Sequence, residues 1–178
     1  MKDSFIQKII SSEFVKFGEF TLKSGKKSNI YFDLRNIISE PLLVLELTEL
    51  LNEKISLSET DRICGVPYGA IPIATALSLK SKIPMILKRK EAKTYGGKKM
   101  IEGKFNVGDK VLLIEDVITS GESLLETIKE LEEVGLQIGK IVVVLDRQEG
   151  GSQILRDKGY ILESITTKEE LLQKNFGN

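Results

Sequence analysis

Residues 111–126 read VLLIEDVITSGESLLE, and both fold and chemistry are argued outward from them. Val111 to Ile114 are apolar without a break. Two acids follow, Glu115 and Asp116, then Val117 and Ile118, then Thr119-Ser120-Gly121 and Ser123 ahead of a leucine-bearing stretch. An unbroken apolar run predicts a strand buried on both faces of a parallel sheet, and the spaced leucines after it predict a helix. In such sheets ligands bind beyond the carboxyl ends of the strands. A helix beginning there offers unpaired N–H groups and a partial positive charge, which suits phosphate. Gly121 permits close backbone approach, and the hydroxyls of Thr119, Ser120 and Ser123 add donors. The acid pair calls for a different partner, and the hydroxyls of a sugar diol donate well to carboxylates. The combination points to a ribose 5-phosphate. A plain strand-to-helix turn with hydroxyl caps is the competing explanation, but the whole string is far rarer than its parts. Neither a GxxxxGK[ST] nor a GxGxxG turn occurs.

Similar apolar runs recur at 62–66, 84–88, 141–145 and 160–165. Helical spacing marks 71–80 and 122–135, the latter stopped by Gly135. This pattern predicts an α/β domain with a central parallel β-sheet flanked by helices. Upstream, Phe5, Ile6, Ile9, Ile10 and Phe14 predict an amphipathic helix over 3–16. Residues 17–35 then alternate around a Ser24-Gly25 turn, predicting a hairpin whose second strand runs through Ile30, Phe32 and Leu34. A helix is expected over 41–55, with Pro41 in its first turn.

Composition narrows the chemistry. Among 178 residues there is no histidine, which removes a histidine general base, a Ser-His-Asp triad and histidine-held metals. The single cysteine, Cys64, forms no intrachain disulfide and reads as a buried small residue. Lys plus Arg balance Asp plus Glu at 26 each, so an anion site must come from local clustering, and no nucleic-acid partner is expected. The apolar runs are too short for a membrane span or a signal segment, so the expectation is a cytoplasmic protein without a membrane partner. Local clustering is found in KRKEAKTYGGKK, residues 88–99. Six bases (Lys88, Arg89, Lys90, Lys93, Lys98, Lys99) face one acid, Glu91, around Gly96-Gly97. Beside a sugar-phosphate site, such a loop fits a lid that folds over a diphosphate.

Segment 111–126 resembles the phosphoribosyl-pyrophosphate (PRPP) motif of the type I phosphoribosyltransferases. RKEAK (89–93) with the aromatic Tyr95 resembles the catalytic loop of the orotate phosphoribosyltransferases among them. FGEFTLKSGKKSNIYFDLR (17–35) is similar to their hood hairpin, and LDRQEGG (145–151) to the segment whose arginine faces orotate. The four segments stand in the family's order.

The resemblance implies a single type I phosphoribosyltransferase domain over 1–178, with a hood of about 1–38 and a core of about 39–178. It implies Mg²⁺-dependent transfer of ribose 5-phosphate from PRPP to orotate, giving orotidine 5'-monophosphate and pyrophosphate in UMP synthesis. Lys93, Glu115 and Asp116 would be catalytic. PRPP would meet Tyr68, Gly69, Arg89, Lys90, Lys93 and Tyr95, together with Glu115, Asp116, Val117, Ile118, Thr119, Ser120, Gly121, Glu122 and Ser123. Orotate would meet Lys23, Tyr31, Phe32, Thr119 and Arg147. Alternation sets Tyr31 and Phe32 on opposite faces, so one of them would stack on the ring. The metal would have no direct protein ligand, being held through PRPP and water. A homodimer is implied, with Arg89, Lys93 and Tyr95 serving the partner's site and Lys90 its own.

Three departures stand out: Gly69 where many members have lysine, Tyr95 where many have histidine, and Tyr31 where phenylalanine is usual. Read without the resemblance, Arg147 between Asp146 and Glu149 would be a local ion pair, and Phe32 a core residue. The alternatives are a phosphoribosyltransferase for another base, which Arg147 and the hairpin oppose, and a PRPP-binding regulatory protein, which the basic lid opposes.

Overall fold

A computed structural model describes residues 1–21, 27–91 and 100–176. In chain order it contains α1 (Lys2–Ser11), β1 (Val15–Thr21), β2 (Lys27–Phe32), a 3-10 helix (Leu34–Ser39), α2 (Pro41–Lys54), β3 (Arg62–Gly65), α3 (Ala70–Ser81) and β4 (Met85–Lys88). There follow β5 (Ile101–Glu102), β6 (Lys110–Ile118), α4 (Glu122–Glu133), β7 (Gln137–Asp146), α5 (Gly151–Asp157), β8 (Leu162–Thr167) and α6 (Lys168–Phe176).

Six strands form the central sheet in the order β5-β4-β3-β6-β7-β8. Neighbours from β4 to β8 pair in parallel, and β5 adds an antiparallel edge. Alternation along the strands separates two cores. Leu112, Ile114, Val142 and Val144 pack with buried residues of α1, α2, α3 and α6. Val111, Leu113, Ile141 and Val143 pack with Leu124, Ile128 and Leu131 of α4 and Leu155 of α5. Successive side chains of a strand point to opposite faces, so a continuous apolar run serves helices on both sides. Each such side chain, fully buried, is worth about 1.5–3 kcal/mol. Because the four inner strands run in parallel, the segments after β3, β4, β6 and β7 all leave one edge of the sheet. That edge is where the site forms.

The hairpin β1–β2 pairs antiparallel beside this core, with Val15 opposite Phe32 and Thr21 opposite Lys27. Its base is pinned by α6: Phe17 meets Phe176 edge-on at 5.3 Å, and Lys2 and Asp3 of α1 pair with Glu170 and Lys174. The Ser24-Gly25 turn lies outside the described residues.

Several expectations need correction. Helix α1 ends at Ser11 and not at residue 16, because Glu13 turns the chain at φ 57° and the Phe14 N–H bonds back to the Ile9 carbonyl. Phe14 still reaches the same core, which is why its spacing looked helical. Leu34 belongs to the 3-10 helix and not to a strand. The Asp33 carboxylate accepts bonds from Arg35 Nε and Asn36 Nδ2, and the chain coils so that Leu34 and Ile37 are both buried. The strand expected at 160–165 runs from Leu162 to Thr167. The two-residue β5, the seven-residue α5 and α6 were not anticipated; the first two are too short to show a period.

Candidate active site

The acid pair stands near the end of β6, ahead of Val117 and Ile118. Glu115 is buried, and its Oε1 accepts the Asp116 N–H at 3.0 Å; Asp116 Oδ1 accepts the Val117 N–H at 2.9 Å. Burial, reinforced by the neighbouring Asp116 carboxylate, pushes the Glu115 carboxyl up to about 9. The pair therefore holds a proton at neutral pH until donors arrive to stabilise a second negative charge. Val117 and Ile118 send their side chains into opposite cores, so only their backbone is available to a ligand.

The turn after β6 bends through Gly121 at φ 81°. The first helical bond of α4 runs from the Leu125 N–H to the Gly121 carbonyl, and no side chain caps the helix. The N–H groups of Glu122, Ser123 and Leu124 thus precede the helical ladder, as phosphate binding requires. Glu115 and the 117–124 turn enclose a small cavity of about 50 Å³.

This turn is braced from β7. The Arg147 N–H donates to the Ile118 carbonyl at 3.1 Å, and the Gly151 N–H to the Thr119 carbonyl at 2.9 Å. A Cβ at Gly151 would stand 2.5 Å from the Thr119 carbonyl oxygen and 2.7 Å from the Gly121 nitrogen, so only glycine fits. Gly151 was missed from sequence because its role is a contact between two distant loops.

Arg147 leans over the Phe32 ring, 5.4 Å from its centre, and its Nη2 pairs with Glu149 Oε1 at 2.7 Å. Asp146 is otherwise engaged, accepting the Gln148 N–H at 2.7 Å and the Ser152 hydroxyl at 2.5 Å. Of the two ion pairs considered for Arg147, the one with Glu149 forms. Phe32 packs against the core and also floors the arginine. Tyr31 points to the other face, exposed and 5.6 Å from Phe20.

Tyr68 and Gly69 connect β3 to α3, the Pro67–Tyr68 peptide being cis. Among the described residues, no backbone carbonyl takes the N–H of either. Gly69 abuts the Asp116 carboxylate and Arg35, whose Cγ would lie 3.1 Å from a Cβ there. Arg35, unremarked in the sequence, thus stands beside the acid pair.

A family model for the phosphoribosyl transferase domain matches residues 34–170. An orotate phosphoribosyltransferase from Pyrococcus furiosus is 39% identical over 175 residues, covering 97% of this chain and 96% of that one. The chain belongs to the orotate phosphoribosyltransferase family. A crystal structure of an orotate phosphoribosyltransferase from Aeropyrum pernix superposes with a TM-score of 0.86 at 29% identity, over 98% of this chain and 99% of that one. A uridine 5'-monophosphate synthase from Bos taurus is 45% identical over 159 residues, 88% of this chain, which spans only 33% of that longer protein. Membership makes the chain a phosphoribosyltransferase, an enzyme of the glycosyltransferase class, with the type I fold.

Within that family frame the basic loop needs one correction. Lys88 is no lid cation. Its side chain is 5% exposed and lies 3.3 Å from Glu130 and 3.8 Å from Glu126 of α4. Arg89 pairs with Glu102 at 3.2 Å, and the Lys90 ammonium lies 5.6 Å from the centre of the exposed Tyr68 ring. Lys23, Lys93 and Tyr95 lie outside the described residues, as do Gly96, Gly97, Lys98 and Lys99. Burial pushes the Cys64 thiol up to about 12, which leaves it inert as a nucleophile. No described helix is long and apolar enough to cross a membrane.

Proposed function

We propose that the chain joins a ring nitrogen of orotate to C1 of the PRPP ribose as the C1–O bond to pyrophosphate breaks and the ring N–H proton passes to the departing pyrophosphate, yielding orotidine 5'-monophosphate for UMP synthesis. One observation carries this reading. The end of β6 and the turn after it, just beyond the acid pair, accept hydrogen bonds from the loop that holds Arg147 over Phe32, which supports sugar-phosphate chemistry and a carboxylate receptor at one edge.

The roles follow from charge. The 5-phosphate sits on the N–H groups of residues 120–123, with the hydroxyls of Thr119, Ser120 and Ser123 alongside. Glu115 and Asp116 accept the ribose hydroxyls. As the ring becomes cationic at C1, ionised carboxylates beneath it are favoured more than in the ground state. The diphosphate meets the N–H groups of Tyr68 and Gly69 and the ammonium of Lys90. Arg147 takes the orotate carboxylate as a fork and Phe32 lies against the base; Lys23 and Thr119 complete that subsite, while Tyr31 faces away from it.

The carboxylates of Glu115 and Asp116 suit a site beside Mg²⁺, which would be held mainly through PRPP and water and would supply Lewis-acid stabilisation of the leaving group. Lys93, with Arg89 and Tyr95, closes over the diphosphate of the partner subunit in a homodimer, while Lys90 serves its own subunit. The hood is residues 1–38 on a core of 39–178, and the enzyme works in the cytoplasm.

The test is the fall in orotate absorbance on adding PRPP and Mg²⁺, with uracil and adenine in parallel. Orotate consumption with little change in the controls is expected; turnover of adenine or uracil in its place would sink the assignment. Lys93→Ala should lower turnover a hundredfold or more without changing the melting temperature.

A further inference from the structure

Two buried side-chain atoms among the described residues lack a hydrogen-bond partner, Glu130 Oε2 and Arg147 Nε. Glu130 faces the Lys88 ammonium at 3.3 Å, so its charge is answered. Arg147 Nε has no such answer. Arginine presents Nε and Nη2 along one edge, which takes a carboxylate through two parallel bonds. Glu149 reaches this edge at Nη2 only, and Nε behind it is closed off from solvent. A buried donor left without an acceptor is costly. The fork is therefore a carboxylate site half filled by the chain's own acid.

The two side chains differ in freedom. Arg147 is 14% exposed, walled by Phe32 and by its loop's bonds to the 118–119 backbone, whereas the Glu149 side chain is 37% exposed at the rim. Asp146 cannot replace it, because both its oxygens are engaged. We propose that Glu149 is an internal stand-in for the substrate carboxylate. It holds the Arg147 fork in the free enzyme and swings out when orotate binds, whose carboxylate then takes Nε and Nη2 together. This rests on the assignment of Arg147 to the orotate carboxylate. Substrate affinity is then a difference between two carboxylates, and Glu149 sets it below what the fork alone would give.

Calorimetry with orotidine 5'-monophosphate, which carries the carboxylate, and uridine 5'-monophosphate, which lacks it, separates the terms. Glu149→Gln should bind the carboxylated nucleotide about tenfold more tightly, the scale of one hydrogen bond to a charged group, and bind uridine 5'-monophosphate as the parent does. Glu149→Ala should shift the same way, which excludes a new bond from the amide. Equal or weaker binding of orotidine 5'-monophosphate by both variants overturns the proposal, because Glu149 would then be a support for Arg147. Arg147→Met distinguishes the two failures. If it keeps the parent's preference for the carboxylated nucleotide, the assignment of Arg147 falls and the stand-in with it. If it loses that preference while the Glu149 variants show no gain, the stand-in alone falls.

Discussion

Glu115 and Asp116 share one peptide bond, and that closeness sets their chemistry. The folded protein keeps a proton on Glu115 up to about pH 9, while the unfolded chain releases it near the ordinary value of 4.5. Over that window the folded state binds more protons, so the stability of the unliganded protein falls as pH rises. Glu115→Gln removes this titration. Its melting temperature should exceed the parent's at pH 9 by about 3 °C or more, and the gap should close near pH 4.5; scanning calorimetry across pH checks this. The same variant should lose turnover by about a hundredfold, because an amide is a poor partner for a developing cation. Gly151 is the second residue whose single atom matters. A methyl there must push the Thr119–Gly121 backbone aside, so Gly151→Ala should cost about 1–3 kcal/mol of stability and raise the KM for PRPP more than that for orotate. Steady-state kinetics on the folded variant decide it; an unchanged PRPP KM would show that the turn tolerates displacement.

Among the elements, the strands were plain in the sequence because burial on both faces demands unbroken apolar runs, and those of β3, β6 and β7 are unmistakable. The turn from β6 into α4 was legible as well, since its glycine and hydroxyls are adjacent in the chain. What stayed hidden depends on contacts between elements. Lys88 reads as one more base in a basic loop, yet it is the last residue of β4, and its neighbour α4 brings Glu126 and Glu130 to it. Removing one partner of a buried ion pair leaves uncompensated charge. Lys88→Met should therefore destabilise the protein by about 2–4 kcal/mol in urea unfolding, far more than the same change at the exposed Lys90. A loss below about 0.5 kcal/mol would show that the pair carries no weight.

For the molecule as a whole, the parallel sheet is what makes a site at all. It sends the segments after β3, β4, β6 and β7 to one edge, and α6 pins the hairpin so that Phe32 reaches Arg147 from outside the sheet. The proposed homodimer belongs to this scale. Lys93→Ala and Asp116→Asn chains, each inactive alone, should regain up to a quarter of parent activity per site when mixed and allowed to exchange, because some sites then combine an intact lid with an intact acid pair. Mixtures as inactive as their components would confine the lid to its own subunit. The α/β class, the sheet's buried strands and the glycine-bearing turn after β6 could be read from the sequence alone, since those depend on neighbours along the chain. Only the tertiary structure decided that Gly151 seals the turn, that Lys88 is buried, that Arg35 stands by the acids and that Glu149 half fills Arg147. Each of these is a contact between separate parts of the chain, and the periodicity of a single element carries no record of what packs against it.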